Sequence, residues 1–588
     1  MNGEIPLEAV EREAVAAGRP AGSGREWRWG LVLVGAVFLT YSPVWWAGFT
    51  WDDDVHVTGN VCIVGPLGLK EIWTTGAGQF FPLVLTTFWL EHALWGLYPL
   101  PYHLVNVLVH AGCAVLLWRV LRSLQVPGAW LGAALWALHP LQVESAAWIS
   151  ELKNTQSCLF YLGAIFFFVK WLEKKGSEGE SGGGWNYALM LVFAVLAMLS
   201  KTSTLVLPAV LALCAWWVKG RWSWRTPMTL APPMLLSMPA AILTLWPHPG
   251  LAEKYTGPEW TRSWPERIAS VGDVIWFYLG KLFWPHRLMA IYPRWQIDAG
   301  QWDAYVPLVA ALAVLVVFWR KRESWGRPWF FAYAYFLVAL SPFLGLIDQS
   351  FWRYSFVQDH LQNLAAIGPL ALAGAGMSGS ADGTISGRRW VRSALCAGLL
   401  AILGTMSWDR SWVYANQETF WTDAVARNPG CLTGNENLGK IYLQKGESIA
   451  AISQFQRAIE SDPVDAEAYY NLGYALARTG QMERAIGEYR RALEIDPNYY
   501  QAHNNLGQAL MTQGRLDEAM DEYGKTLAIN PEDAESHNNL GVALAQKGRL
   551  GEATAEFQEA VRLKPNYVDA QSNLAKVQAM ERNARGPK

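Results

Sequence analysis

The stretch 466–499, AEAYYNLGYALARTGQMERAIGEYRRALEIDPNY, is one of four consecutive segments of equal length near the end of the chain. Asn437-Leu438, Asn471-Leu472, Asn505-Leu506, Asn539-Leu540 and Asn573-Leu574 recur every 34 residues. Pro429, Pro463, Pro497, Pro531 and Pro565 keep the same interval, as do Gly446, Gly480, Gly514 and Gly548 and Ala451, Ala485, Ala519 and Ala553. Within each period the apolar residues fall at helical spacing on two arms joined near the glycine. Small residues let the two helices of a hairpin approach closely, and proline ends the second one, because it carries no N–H for the next turn.

A 34-residue period with Leu-Gly early, Ala then Phe or Tyr late and a closing Pro is the tetratricopeptide pattern, an α-solenoid. Four full repeats are predicted, at 432–465, 466–499, 500–533 and 534–567, followed by a partial capping helix within 432–588. Asn416–Pro429 reads as the second helix of a degenerate first repeat, so that 409–431 links it to what precedes. Asn437, Asn471, Asn505, Asn539 and Asn573 share one repeat position, with Asn504 and Asn538 beside two of them. This position predicts a line of carboxamides along a concave groove, each with a donor and an acceptor for a peptide backbone. Frequent use of Asn-Leu-Gly in such repeats explains the same residues without a ligand. Either way a protein partner is expected for the solenoid.

Upstream of Gly430 the composition changes. The chain has 588 residues, 17% of them charged and 52% hydrophobic. The segment from Gly430 on holds 22 acidic and 17 basic side chains, an ordinary soluble density. The first 429 residues share the remaining 59 charges and contain all 33 tryptophans. Two solvents are implied, a membrane for the first part and water for the second. That excludes a secreted enzyme, a cytosolic enzyme and a disordered scaffold. No basic tract points to nucleic acid. The six cysteines form no CxxC pair, and neither a zinc site nor a disulfide framework is expected.

Twelve apolar segments of spanning length are read, near 30–48, 102–118, 129–147, 155–172, 185–200, 203–218, 228–247, 267–290, 303–319, 328–347, 361–378 and 391–408. Basic clusters such as Arg119/Arg122, Lys219/Arg221/Arg225 and Arg320/Lys321/Arg322/Arg327 mark the cytoplasmic side. The N-terminal tail, 1–28, is placed inside. Parity between the 219–225 and 320–327 clusters removes one candidate, either 267–290, with Asp273, Lys281, Pro285, His286 and Arg287, or the proline-rich 228–247. About eleven spans remain within 29–408. The loops 49–101, 248–302 and 348–360, and everything after Trp408, then lie on the outer face.

Polar groups at the outer ends of spans are the candidates for chemistry. The first outer loop opens Phe49-Thr50-Trp51-Asp52-Asp53-Asp54-Val55-His56. Three adjacent carboxylates repel one another and raise at least one proton affinity, which suits a general base or a metal ligand as well as a solvated acidic turn. His103, Asn106 and His110 share a helical face. His139 and Glu144 follow, then Glu151, Lys153 and Asn154, then Lys201, Arg353, Asp359 and His360. The cations Lys201, Arg353 and His360 face the same compartment as the acidic triplet, an arrangement suited to an anionic ligand. No P-loop, dinucleotide fingerprint, HExxH or GxSxG is present.

Taken in order, these stretches resemble bacterial relatives of the transmembrane and tetratricopeptide-repeat-containing protein O-mannosyltransferases, within the C-type glycosyltransferase superfamily. The resemblance rests on Trp51-Asp52-Asp53-Asp54, Tyr102-His103-Leu104 through His110-Ala111, Leu138-His139-Pro140-Leu141 with Glu144, and Leu199-Ser200-Lys201. Tyr278-Leu279-Gly280-Lys281-Leu282, Tyr292-Pro293 and Asp359-His360 complete it, ahead of the repeats. It implies an all-α membrane enzyme of the bacterial inner membrane, with its active-site loops and repeats on the periplasmic side. The donor it implies is a polyprenyl-phosphate-linked sugar, mannose or another hexose by the same resemblance. Asp53, or its neighbour Asp52, would take the proton of a Ser or Thr hydroxyl, with Asp54 beside them. Lys201, Arg353 and His360 would bind the donor phosphate, and His103, His110, His139, Glu144, Lys153 and Asp359 would support them. The repeats would recruit the acceptor protein through the five asparagines. No cofactor is required by the sequence, and a divalent metal is left open. Phe81, Leu152 and Asn154 depart from the family pattern. A catalytically silent repeat scaffold, and transfer to a lipid or glycan acceptor, are the competing readings.

Overall fold

The computed structural model describes residues 26–75, 81–176, 184–221, 226–245, 262–347, 355–379 and 387–584. Among them all regular structure is helical. The chain divides into two compact units, 1–420 and 421–588.

In the second unit, paired helices follow one another as the period requires: α1 Leu432–Gln444 with α2 Ser448–Ser461, α3 Ala466–Arg478 with α4 Met482–Ile495, α5 Tyr500–Thr512 with α6 Leu516–Ile529, and α7 Ala534–Gln546 with α8 Leu550–Leu563. A capping helix, Val568–Ala584, ends the row. Gly439, Gly473, Gly507 and Gly541 repeat because an aromatic ring lies against each. A Cβ on Gly473 would sit 2.7 Å from the Tyr489 ring, and one on Gly507 2.7 Å from that of Tyr523. Gly480, with φ at +79°, makes the turn between the arms of its hairpin in a backbone region that side chains avoid. Leu472, Leu476, Tyr489, Leu506 and Tyr523 form one continuous core through successive repeats.

The first unit is a helical assembly in which, among the described residues, five stretches are long and apolar enough to cross a membrane: Pro99–Ser123, Ile149–Lys174, Thr202–Lys219, Trp302–Arg320 and Trp390–Tyr414. Gly184–Ser200 and Ile367–Ser378 are shorter apolar helices. Several expected spans have a different form. The segment 129–147 is a nine-residue helix, Ala129–Ala137, a turn at Pro140–Gln142 and a single helical turn, Val143–Ala147. Nine residues rise only about 14 Å, half a bilayer core. Its apolarity serves burial in protein instead: from Leu131 to Leu152 every residue is buried. Trp302–Arg320 is the opposite case, buried over only 6% of its length, as a surface against lipid would be. Neither of the two segments weighed by parity is among the five. Thr226–Leu245 is a helix carrying Pro232, Pro233 and Pro239. Trp264–Phe283 starts on a Ser263–Glu266 capping box and buries one face, with Val274, Ile275 and Tyr278, while exposing Trp264 and Phe283.

Candidate functional site

The acidic triplet folds into a tight loop that sends its three carboxylates to three different places. Trp51 has a φ of +40°, a conformation few non-glycine residues adopt and one that costs on the order of 1–3 kcal/mol. Its indole stacks on Trp148 at 5.4 Å, and Trp148 Nε1 donates to Thr50 O at 3.1 Å. A single π turn, Asp54–Thr58, follows.

Asp53 points inward and is fully buried. One of its oxygens accepts the Ser150 backbone N–H at 2.7 Å and the other that of Thr50 at 2.8 Å. Burial pushes its carboxyl up to about 7 against these two donors. Asp54 points outward, where its carboxylate accepts from the Thr58 hydroxyl at 2.8 Å and from Gln417 Nε2 at 3.2 Å. Asp52 is half-buried, and among the described residues no hydrogen bond holds its carboxylate. Burial raises its proton affinity, Lys153 lowers it, and Glu151 and His360 are the other charges it senses.

Asp53 is therefore the loop's anchor. Asp53→Ala leaves the N–H groups of Thr50 and Ser150 without acceptors, at about 1–3 kcal/mol each. A fall in melting temperature of several degrees is expected in the purified protein, and an unchanged melt would contradict the anchoring role.

The groups opposite Asp52 form a connected chain. Glu151, fully buried, holds Lys153 Nζ at 2.8 Å and accepts from Asn154 Nδ2. The Asn154 carbonyl accepts in turn from Lys201 Nζ. His360 Nε2 lies 3.9 Å from Glu151, and its Nδ1 lies 2.9 Å from Glu144, which also accepts the His360 backbone N–H at 2.8 Å. Tyr292 donates to Asp359 at 2.8 Å, next in sequence to His360. Lys153 Nζ also lies 5.7 Å from the Phe81 ring, so Phe81 forms part of the wall.

Of the residues singled out from sequence, Asp52, Glu144, Lys153, Lys201, Asp359 and His360 come together here. His103, His110 and His139 do not hydrogen-bond to this chain of groups. They tie helices to the backbone carbonyls of Gly48, Ala137 and Leu282 at 3.3, 3.0 and 3.1 Å. Arg353 lies outside the described residues. Glu151 and Asn154 carry the connections that sequence reading left without a role. The signal available was their spacing: Glu151, Lys153 and Asn154 open a helix directly after a buried tryptophan. Among the described residues no three His, Cys, Asp or Glu side chains converge as a metal site.

In the repeat unit the asparagine row acts first as a set of ties between repeats. The side-chain amides of Asn505, Asn539 and Asn573 donate to Tyr470 Oη at 3.1 Å, Asn504 at 3.2 Å and Asn538 at 3.0 Å, each 35 residues back. Asn437 donates to Thr433 O at 2.8 Å, whereas the buried Asn471 Nδ2 has no acceptor among the described residues. Four of the five donors expected to grip a peptide are thus engaged within the solenoid, three of them with a side chain of the preceding repeat that lies 35 residues back.

The tetratricopeptide repeat model matches residues 436–500, 496–530 and 504–568. The mouse protein O-mannosyl-transferase TMTC2 is 27% identical over 150 residues, 23% of this chain and 18% of that one. The Drosophila melanogaster protein O-mannosyl-transferase Tmtc1 is 25% identical over 190 residues, 30% of this chain and 21% of that one. The chain thus spans about a fifth of the length of these curated relatives. Among solved structures, MamA is 28% identical with a TM-score of 0.24, covering 25% of this chain and 86% of MamA. The chain is a distant, partial relative of proteins named as O-mannosyl-transferases, and it carries tetratricopeptide repeats.

Proposed function

We propose that the chain is a membrane glycosyltransferase that moves a hexose, mannose by its relatives, from a polyprenyl-phosphate carrier to Ser or Thr hydroxyls of exported proteins. The observation that carries the proposal is the Asp52 carboxylate, free of hydrogen bonds among the described residues and set against Lys153 and His360, with Lys201 joined to the same chain of groups through Asn154. In this reading Asp52, rather than the anchored Asp53, takes the proton from the acceptor hydroxyl. The oxygen forms a bond to the anomeric carbon as the carbon–phosphate oxygen bond breaks. The lipid phosphate leaves with the electron pair, and the configuration inverts. Lys153, Lys201 and His360 offset the charge that grows on the phosphate. Arg353 is kept as a further phosphate ligand on the sequence alone.

The same proposal includes about eleven spans of a bacterial inner membrane, with Asp52 and the repeats on the periplasmic side. The repeats bring the acceptor protein to the membrane unit, as solenoid surfaces commonly do. Proteoliposomes supplied with a polyprenyl-phosphate hexose and a Ser/Thr peptide test the chemistry. Release of lipid phosphate together with an inverted glycoside on the hydroxyl is expected, and hydrolysis alone would oppose it. Removing 430–588 should reduce transfer to folded proteins at least tenfold more than transfer to a short peptide. Equal losses would count against recruitment.

A further inference from the structure

A second feature of the membrane unit lies far from Asp52. The helices Pro99–Ser123, Leu152–Gly176 and Leu207–Lys219 begin beside the polar chain of groups. Leu117 stands 14 residues beyond His103 on the first of them, about 21 Å along its axis. At that distant end the three helices meet Gly326–Leu340 and Ile367–Ser378 around an apolar cleft of about 80 Å³. Leu117, Leu121, Ile165, Phe331, Ile367 and Ala375 are among its walls, and no charged residue lines it.

A polar recess of about 360 Å³ adjoins it, lined by Trp216, Gly220, Arg322, Glu323, Ser324 and Arg327. The two spaces share a wall, because Trp216 and Arg327 face the recess while their neighbours Trp217 and Pro328 face the cleft. Arg327 is the hinge of this arrangement. Its guanidinium lies 5.8 Å from the Trp216 ring and 5.2 Å from that of Trp217, and Nη2 donates to Trp217 O at 2.6 Å. Its Nε is buried with no hydrogen-bond acceptor among the described residues. Arg322 stands over the Trp319 ring at 4.1 Å, and its Glu323 neighbour, 3.5 Å away, is largely exposed.

An apolar cleft is filled by hydrocarbon more favourably than by water, which finds no polar partners there. A buried guanidinium N–H at its edge needs an acceptor, and phosphate matches guanidinium geometry. We propose that the paired recess binds an anionic glycerophospholipid, part of one acyl chain lying against the apolar cleft and the headgroup phosphate against Arg327 with Arg322. The site is separate from the sugar-transfer chemistry and does not depend on it. It also lies at the end carrying Lys219, Arg221, Arg320 and Lys321, the side that positive charge marks as cytoplasmic.

Delipidated full-length protein in detergent tests this with three probes: phosphatidylglycerol, phosphatidylcholine and polyprenyl phosphate. Native mass spectrometry should retain phosphatidylglycerol in preference to both others. Arg327→Gln should weaken that retention roughly tenfold or more, as loss of a charged hydrogen bond does. Ala375→Phe, which fills the cleft, should weaken it as well. Phosphatidylglycerol with a diazirine in one acyl chain should label the wild-type protein within 117–127, 162–165, 214–217, 328–335 or 367–375, a readout that needs no variant to fold. Labelling confined to other segments, equal retention of phosphatidylcholine, or preference for polyprenyl phosphate would overturn the proposal.

Discussion

Asp52→Asn is expected to lower hexose transfer by about 10²–10⁴-fold, the contribution of a positioned general base, while leaving the melting temperature close to that of the wild type. The small structural cost follows from the geometry. Among the described residues the Asp52 side chain accepts no hydrogen bond, so an isosteric amide removes the base and little else. Asp53 offers the contrasting pattern, because one of its oxygens holds the loop to Ser150, the other closes it on Thr50, and its substitution costs stability as well as rate. The pair of variants separates base from anchor, two roles that total inactivity in both would not distinguish. The pH dependence has a definite sign. Burial holds the Asp52 carboxyl above its ordinary range, and a base works only when ionised. Activity should therefore fall with acid at a higher pH than an exposed aspartate would give, and the fall should be absent from the residual rate of Asp52→Asn. Transfer by Asp52→Asn at the wild-type rate would remove Asp52 from the mechanism.

Glu151→Gln has the second large effect. Its carboxylate is fully buried, paired with Lys153 and bonded to Asn154, so neutralising it leaves one buried ammonium without its counter-charge. Breaking a buried pair from one side costs about 3–5 kcal/mol. The melting temperature should drop by several degrees, and transfer should fall because Lys153, Lys201 and His360 lose the group that sets their positions. Adding Lys153→Met should restore part of the stability, since it removes the orphaned charge, without restoring transfer. A double variant less stable than Glu151→Gln alone would contradict the pairing argument.

The solenoid was readable from sequence because its constraints repeat. The ring over Gly473 is the ring over Gly507 one period later, so each demand is written four times. The membrane unit was legible in outline but not segment by segment. Hydropathy reports that a residue avoids water, and it cannot tell lipid from protein interior. Residues 129–147 are apolar because they are enclosed by neighbouring helices, whereas Trp302–Arg320 is apolar on an open surface. The acidic triplet was visible for the same chemical reason in all three positions. Which carboxylate is free depends on the left-handed turn at Trp51 and the π turn after it, neither of which has a local sequence signature. Glu151 and Asn154 were visible as polar residues at the end of a span. Their bridging role depends on Lys201 and His360, which reach them from remote segments. The asparagine row was seen at once, and its use as ties follows from a spacing between repeats that only the packed solenoid defines.

The central claim is tested most directly by the intact masses of outer-face proteins from cells that carry the wild-type chain or Asp52→Asn at equal abundance. The account predicts a ladder of hexose-sized increments in the wild type and its absence in the variant. Identical spectra from the two would contradict protein O-glycosylation by this chain.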